Sequence, residues 1–481
     1  MVCPHQFMRM IRRQKIWLGL VLGLNFVLWL IPSDVVDEIA RQRHVMLGRY
    51  SRTHFAWNVG VLLISAVSFY VDWSTGATYK RRWFQVIATL MFLIPSLAIV
   101  DFALRRPDVE HYVRDSLAYH RPPGEAFRQV FADQPEARRS YPHAPPGYGT
   151  VDCTLHTDRR GYRNQSNLET YDIIVLGDSF AEGSNVSDEH PWPVRLAAYS
   201  GLTVYNLGMS GYDPLHYLES LKEVGLALKP RVVFCLIYEG NDFRSTKTDE
   251  KRRHPSLSMR LNEYVGRSPV IGILDKLLID TFGPINNDAA LKDSGKIDWL
   301  PLVIPVGPRA KHYAFEPKQL RDLYPSREEF ESDRHWLNPQ SQIAEMNKLC
   351  QEAGRRLVIV FAPTKARVTL PILADRLVPE KVRDFTAISY KGELPEPGEF
   401  LRNLLENADA REEVVGEWCR RQAIPFVSLT GTLREAAMHG QQVYYTYDQH
   451  WTPDGHEVVA QTVHQYLVEH HQAEALTVSR H

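Results

Sequence analysis

Residues 171–183 read YDIIVLGDSFAEG, and the reading of this stretch decides the fold. Four apolar residues, Ile173 to Leu176, stop abruptly at Gly177-Asp178-Ser179. A short continuous apolar run bounded by glycine is the pattern of a strand buried on both faces, most often in a parallel sheet. Open α/β sheets bind ligands beyond the carboxyl ends of their strands. Ser179 therefore stands where a nucleophile would be placed. The competing reading is structural, since Asp and Ser are both good helix N-caps. At average composition Gly-Asp-Ser arises by chance in roughly one chain in ten of this length. The rest of the chain has to decide between the two.

Working outward, strand and helix patterns alternate. Apolar strands are expected at 203–207 (TVYNL), 232–237 (VVFCLI), 356–362 (RLVIVFA) and 424–429 (IPFVSL). Between them lie amphipathic helical patterns at 192–199, 215–228, 342–354, 404–422 and 455–470. Five strands joined by crossover helices predict an α/β class protein with a three-layer, flavodoxin-like parallel sheet. The alternation pauses over about 243–340, which carries a charged run (TKTDEKRRH) and an amphipathic pattern near 261–279. This segment reads as an insertion at the carboxyl edge of the sheet, with a separate small domain as the alternative. Residues 106–169, rich in Pro and Gly, read as a connector. The expected catalytic domain is 170–470, and 471–481 forms a tail.

The first 105 residues differ in kind. Three long apolar runs occupy 16–31, 55–71 and 83–104. A bilayer span takes about 20 apolar residues. The third run meets this comfortably, and Trp17, Trp29, Trp57, Trp73 and Trp83 lie near the run ends as interfacial aromatics would. The first run has a basic lead-in (Arg9, Arg12, Arg13, Lys15) but no small-residue cleavage site after it, which favours a retained span over a signal peptide. The second run is also readable as a buried soluble helix, given Asn58 and Ser65. About three transmembrane helices are expected. Basic residues at the N-terminus and at Lys80-Arg81-Arg82 place those segments in the cytoplasm, so the large domain would lie outside it. The expected location is a bacterial inner membrane with a periplasmic catalytic domain.

Composition removes some classes. The net charge is −1, with no basic excess for nucleic acid. Five cysteines are scattered without a C-x-x-C pair, and their spacing fixes no disulfide; Cys235, inside an apolar run, reads as a core residue. No His/Cys cluster has metal-site spacing. No metal and no cofactor is called for.

Three further motifs fall in loops at the same sheet edge: NLGMSGYDP (206–214), EGND (239–242) and YDQHWTPDGH (447–456). Together with GDSF they resemble the four blocks of the SGNH, or GDSL-type, hydrolase superfamily. The matching residues are Ser179, Gly211 (with Gly208 as rival), Asn241 and His450. The resemblance covers about 170–242 and 355–470. The usual family spacing is Asp-x-x-His, whereas this chain has Asp448-x-His450 followed by Trp451. That variant is similar to the branch containing alginate-type polysaccharide O-acetyltransferases. The APTK segment, 362–365, resembles membrane-associated members of the superfamily. A second Asp-x-His pair, Asp454 and His456, reads better as a helix start, with Pro453 and an acid in the first turn.

The resemblance implies a catalytic set of Ser179, Asp448 and His450. It implies an oxyanion hole from the N–H groups of Ser179 and Gly211 with the Asn241 amide. A neutral hydroxyl needs a base in reach, and an acid that fixes the imidazole tautomer completes the set. Asp178 and Asp242 read as turn-holding residues. The implied function is a serine-dependent acyl-ester hydrolase or O-acyltransferase working through an acyl-enzyme. Its implied substrate is an extracytoplasmic acyl ester or acylated carbohydrate. The bilayer and a membrane acyltransferase are the implied partners. Tyr313, Tyr324 and Trp336 are candidate sugar platforms. The alternative is a non-catalytic, glycan- or partner-binding component of a membrane polysaccharide assembly complex.

Overall fold

The computed structural model describes residues 52–72, 76–104, 116–133, 145–243, 268–273, 301–304, 311–390 and 392–478, with a few isolated residues besides. The chain forms two compact units. One comprises Met1–Val109 with Ser256–Gly295, the other Glu110–Pro255 with Lys296–His481.

In the first unit, α1 (Arg52–Asp72) is followed by α2 (Gly76–Leu104). Within α2, Thr78–Leu104 is long and apolar enough to cross a bilayer, with mean hydropathy 2.2. At about 1.5 Å per residue it would span roughly 40 Å, more than the ~30 Å hydrocarbon core. Many of its large side chains are exposed, and Phe84, Phe92 and Phe102 are more than two-thirds exposed. Among the described residues α1 holds a shorter apolar stretch, Asn58–Val71. Of the run at 16–31 only 19–20, 23–25 and 29–30 are described, and the expected span there lies largely outside the described residues. Of the three expected spans, one therefore has a helix of spanning length among the described residues. Near the end of α2 the buried Asp101 carboxylate accepts the Val270 N–H (3.3 Å) and the Ser268 hydroxyl. Part of the segment read as one insertion thus packs in this first unit.

The second unit is built on a parallel sheet of five strands in the order β4-β3-β5-β8-β9. The strands are β3 (Ile173–Leu176), β4 (Val204–Asn206), β5 (Val232–Tyr238), β8 (Arg356–Ala362) and β9 (Phe426–Ser428). All four pairings are parallel. Taken in chain order this is 2-1-3-4-5, the flavodoxin-like order, whose switch point lies between the first and third strands. Here that point is the carboxyl end of β3 and β5.

Alternate residues face opposite layers, as the period-two geometry of a strand requires. Ile174, Leu176, Val233, Cys235, Ile237, Leu357, Ile359 and Phe361 share one continuous core with Leu218, Trp336, Ile343, Met346, Val415 and Trp418. Those partners come from α5 (Pro214–Ser220), α7 (Arg334–Glu352) and α9 (Ala410–Arg421). On the other side, α4 (Trp192–Ser200) and α10 (Thr430–Met438) pack with the long α11 (Pro453–Val478). Tyr466 of α11 meets Phe234 of β5 edge-on. Three layers result.

Cys235, Cys350 and Cys419 sit in the core as free thiols. Burial pushes the Cys350 and Cys419 thiols up to about 12, so they behave as small apolar residues.

Two segments differ from the sequence reading. The expected connector contains an antiparallel hairpin, β1 (Ala126–Ala132) with β2 (Thr150–His156). The expected insertion ends with a second hairpin, β6 (Pro301–Ile304) with β7 (Lys311–Ala314), and a short helix α6 (Pro317–Leu323). Helix α7 begins at Arg334, ahead of Pro339, because Asp333 caps it and Trp336 anchors its first turn in the core.

Candidate active site

Ser179 opens α3 (Ser179–Glu182), the short helix that follows β3. Asp178 is its N-cap, accepting from the Phe180 N–H at 2.9 Å. The capping role suggested by composition is therefore real, and it belongs to Asp178. Ser179 is left half-exposed at the switch point, its N–H one of the orphan donors of a helix start. The close packing behind it depends on Gly177, where a Cβ would lie 2.6 Å from the Ala181 Cβ.

The loop 444–451 folds back on itself through an antiparallel bridge between Tyr444 and Trp451 and a hydrogen bond from Tyr445 N–H to the His450 carbonyl (3.1 Å). This presents His450 to α3. His450 Nε2 lies 2.8 Å from Ser179 Oγ, and its Nδ1 lies 2.7 Å from Asp448 Oδ1. Since a carboxylate only accepts, Nδ1 carries the proton and Nε2 is free to accept from the serine. The ring rests on Phe180, which stacks on Tyr238 and meets Trp451 edge-on. About 20 % of the His450 side chain and 25 % of that of Asp448 is exposed, so the pair is enclosed but reachable.

Burial works against both charged forms, and their mutual attraction outweighs it. The Asp448 carboxyl is lowered to about 2 by the His450 imidazole, by its hydrogen bonds and by Lys365. The His450 pKa is raised by Asp448, with smaller contributions from Asp178 and Glu182. Asp178 behaves oppositely. Burial dominates and raises it to about 6, against the Phe180 N–H, the Asn241 amide and His450.

Asn241 follows β5 and donates from Nδ2 to Asp178 Oδ2 at 2.7 Å. The acceptor carboxylate orients the amide, and Nδ2 keeps a second proton. Asp242 accepts from the Tyr238 N–H (2.7 Å) and the Tyr217 hydroxyl (2.9 Å), holding the turn.

The two glycines of the second block separate by role. At Gly208 a Cβ would lie 2.6 Å from both the Ala181 Cβ and the Glu182 N, and its N–H already donates to Asn206 Oδ1 at 2.8 Å. Gly211 is left-handed at φ +82°, and no partner for its N–H is found among the described residues. Gly208 is therefore a packing glycine, and Gly211 keeps a free donor.

His456 is buried away from Ser179. Its Nδ1 accepts from the Trp192 N–H (3.4 Å), its ring meets Trp451 edge-on, and burial holds it well below the ordinary imidazole value. Pro453 starts α11, as the sequence suggests for that stretch.

Two of the three candidate sugar platforms are ruled out by burial. Tyr313 and Trp336 are fully buried, and Tyr324 stacks on Phe400. Tyr313 and Trp336 are spent on packing, and Tyr324 keeps partial exposure.

Sequence reasoning also missed a buried network beneath the second block. Glu182, in the last turn of α3, accepts from Arg121 Nε (2.6 Å), Ser210 N–H (3.0 Å) and the Ser210 hydroxyl. Arg121 outweighs the effect of burial and keeps the Glu182 carboxyl below its ordinary value. Tyr119 donates its hydroxyl to the Ser210 carbonyl at 2.9 Å. Both Tyr119 and Arg121 come from the supposed connector, and nothing in their local sequence marks them.

A family model described as "SGNH hydrolase-like domain, acetyltransferase AlgX" matches residues 403–480, which include Asp448 and His450 but not Ser179, Gly211 or Asn241. No curated protein matches. Among solved structures, the chain is similar to a putative lipolytic protein of the G-D-S-L family from Desulfitobacterium hafniense. The two are 12 % identical over 61 % of this chain and 97 % of that one, with TM-score 0.29. It is also similar to a GDSL-like lipase from Bacteroides thetaiotaomicron (12 % identity, 62 % and 87 % covered, TM-score 0.26). A third is a catalytic mutant of an acetylxylan esterase from Geobacillus stearothermophilus (10 % identity, 62 % and 94 % covered, TM-score 0.28). The α/β fold with its parallel sheet is SGNH/GDSL-like.

Proposed function

We propose that this protein is a membrane-anchored serine enzyme that cleaves or transfers acyl groups through an ester on Ser179. One observation carries the reading: Ser179 Oγ, His450 Nε2, His450 Nδ1 and Asp448 Oδ1 form an unbroken relay with steps of 2.8 and 2.7 Å. Nucleophile, base and orienting acid in hydrogen-bond contact are the arrangement that acyl transfer requires.

The chemistry runs in two halves. The Ser179 oxygen attacks the acyl carbon while its proton passes to His450 Nε2. The resulting oxyanion is met by the N–H groups of Ser179 and Gly211 and the second Nδ2 proton of Asn241. Collapse breaks the bond to the alcohol, which leaves with the proton from His450. In the second half, water or a sugar hydroxyl gives its proton to His450 and attacks the acyl-serine, and Ser179 recovers its hydrogen. Asp448 stays ionised throughout and stabilises the imidazolium.

The family model names an acetyltransferase, and this favours acetyl as the group carried; the resemblance of the Asp448-x-His450 block to polysaccharide O-acetyltransferases favours a glycan hydroxyl as the acceptor. Helix α2 supplies the anchor. Lys80, Arg81 and Arg82 at its N-terminal end favour a cytoplasmic start and hence an extracytoplasmic catalytic domain. A membrane acyltransferase that delivers the acyl group fits such an arrangement.

The test is labelling of full-length protein with a fluorophosphonate probe, followed by product analysis with an acyl donor in the presence and absence of an oligosaccharide. Wild type should be labelled and Ser179→Ala should not, and acylated oligosaccharide should form. Unlabelled wild type with unchanged ester turnover in Ser179→Ala would refute the serine reading. Free acid as the sole product would refute transfer.

A further inference from the structure

Two buried, oppositely charged side chains outside the four sequence blocks converge on the backbone that carries Asp448. Asp133 directly follows β1, in the hairpin once read as connector, and Lys365 opens α8 (Lys365–Thr369) after β8. Asp133 is 4 % exposed and Lys365 is fully buried.

Asp133 collects amides. Its Oδ1 accepts from the N–H groups of Tyr447 (2.9 Å) and Asp448 (3.1 Å), and its Oδ2 accepts from those of Thr446 (2.8 Å) and Tyr148 (2.7 Å). Lys365 collects carbonyls. Its Nζ donates to Tyr445 O (3.2 Å), Thr446 O (2.8 Å) and Asp448 O (3.0 Å). A carboxylate offers about four lone-pair sites and an ammonium three protons. Both groups are thus saturated by backbone, and neither has capacity left for a substrate or a moving proton.

We infer that Asp133 and Lys365 are positioning residues for the Asp448–His450 pair, a charged clamp that fixes the backbone of residues 445–448. This rests on the acyl-enzyme reading above. The clamp is costly to bury, and burial lowers the Lys365 pKa to about 8 although Asp133, Asp448 and Glu316 hold it up. A loop needing only to be closed could be closed with apolar residues at no such cost. What the charges add is a fixed backbone geometry directly under the residue that must hold the His450 tautomer. Loose support of this kind is felt as lost rate rather than lost substrate affinity.

The experiment measures kcat, KM and the pH profile of kcat/KM for full-length protein in detergent, with p-nitrophenyl acetate as substrate. The variants are Asp133→Asn, Lys365→Met and the milder Asp133→Glu. Ile343→Ala, in the core of α7, serves as a destabilised control, and all are compared where thermal melts show each to be folded. In Asp133→Asn an NH2 faces two N–H donors, and in Lys365→Met three carbonyls lose their partner. Both should lose at least tenfold in kcat, with KM within about twofold. Their acid limbs should move down by about half a unit or more, because a displaced Asp448 no longer raises the His450 pKa. Asp133→Glu should show a smaller loss of the same kind. The control should keep the wild-type limb. If Asp133→Asn, Lys365→Met and Asp133→Glu all match the control in kcat and acid limb, while Ser179→Ala is inactive, the clamp is overturned and the acyl-enzyme reading stands. Turnover retained in Ser179→Ala overturns both.

Discussion

Asp448 Oδ1 receives two hydrogen bonds from His450, one from its backbone N–H at 2.8 Å and one from ring Nδ1 at 2.7 Å. A side-chain oxygen bonded to the N–H two residues on is an Asx-turn. The single intervening residue, Gln449, is what brings backbone and ring of His450 to the same oxygen. The Asp-x-His spacing therefore locks the imidazole twice, with the turn and the tautomer fixed by one atom.

Replacing Asp448 by Asn should test that lock. The amide can turn its NH2 toward the ring and hold the wrong tautomer. With p-nitrophenyl acetate, kcat should fall by about 10³–10⁴. KM should stay within about twofold, since no substrate contact is removed. A loss under tenfold would contradict the role given to Asp448.

The raised His450 pKa fixes the acid limb. Protonated His450 cannot accept from Ser179, so kcat/KM should decline on acidification with an apparent pKa above the ordinary imidazole value of about 6.5. Stability carries the opposite sign. A histidine whose folded pKa is raised stabilises the fold below about 6.5 and loses that contribution as pH rises through the folded value. Asp448, depressed to about 2, contributes above about 4 and loses its contribution as pH falls toward 2. Thermal melts across pH should show both trends weakened in His450→Ala. An acid limb below 6 in wild type would contradict the pairing.

Gly208 and Gly211 should separate by assay. Gly208→Ala forces a Cβ against the backbone of α3 and should cost about 1–3 kcal/mol of stability as overpacking. At Gly211 the space is more open, with Tyr119 Oη 3.0 Å from a Cβ, and the cost is the positive φ, about 1 kcal/mol. Chemical denaturation of the two variants should rank Gly208→Ala as clearly the less stable. The reverse order would contradict the packing role.

Glu182 is fully buried with Arg121 against it. Glu182→Ala removes the carboxylate paired with that guanidinium and releases the Ser210 amide. Removing one partner of a buried ion pair costs about 3–5 kcal/mol. Urea denaturation should show a loss of that order, and a loss under 1 kcal/mol would contradict the network as drawn.

Much of the site was legible because its signals are local. A buried strand ending in Gly177 is continuous in sequence, and Ser179, Asn241 and His450 each follow a pattern break at the sheet's edge. The supports were not legible because their partners are remote. Asp133 binds amides more than three hundred residues away in the chain, and the strand before it, β1, is mostly exposed on both faces, so it lacks the alternation that marks a half-buried strand. Arg121 looks like an ordinary surface charge until the fold buries it, and Lys365, although it ends the APTK segment, carries no local sign of the carbonyls it binds about eighty residues on. The misjudged aromatics err the other way. Trp336 and Tyr313 sit in polar sequence, yet tertiary packing takes them into the core.

In the reaction proposed above, Ser179 itself carries the acyl group. The most direct measurement is mass spectrometry of the peptide containing Ser179, after rapid acid quench of full-length protein reacting with an activated acetyl ester. One acetyl group is expected on Ser179 in wild type and none in Ser179→Ala or His450→Ala. Steady turnover with Ser179 unmodified in wild type, and unchanged turnover in Ser179→Ala, would contradict it.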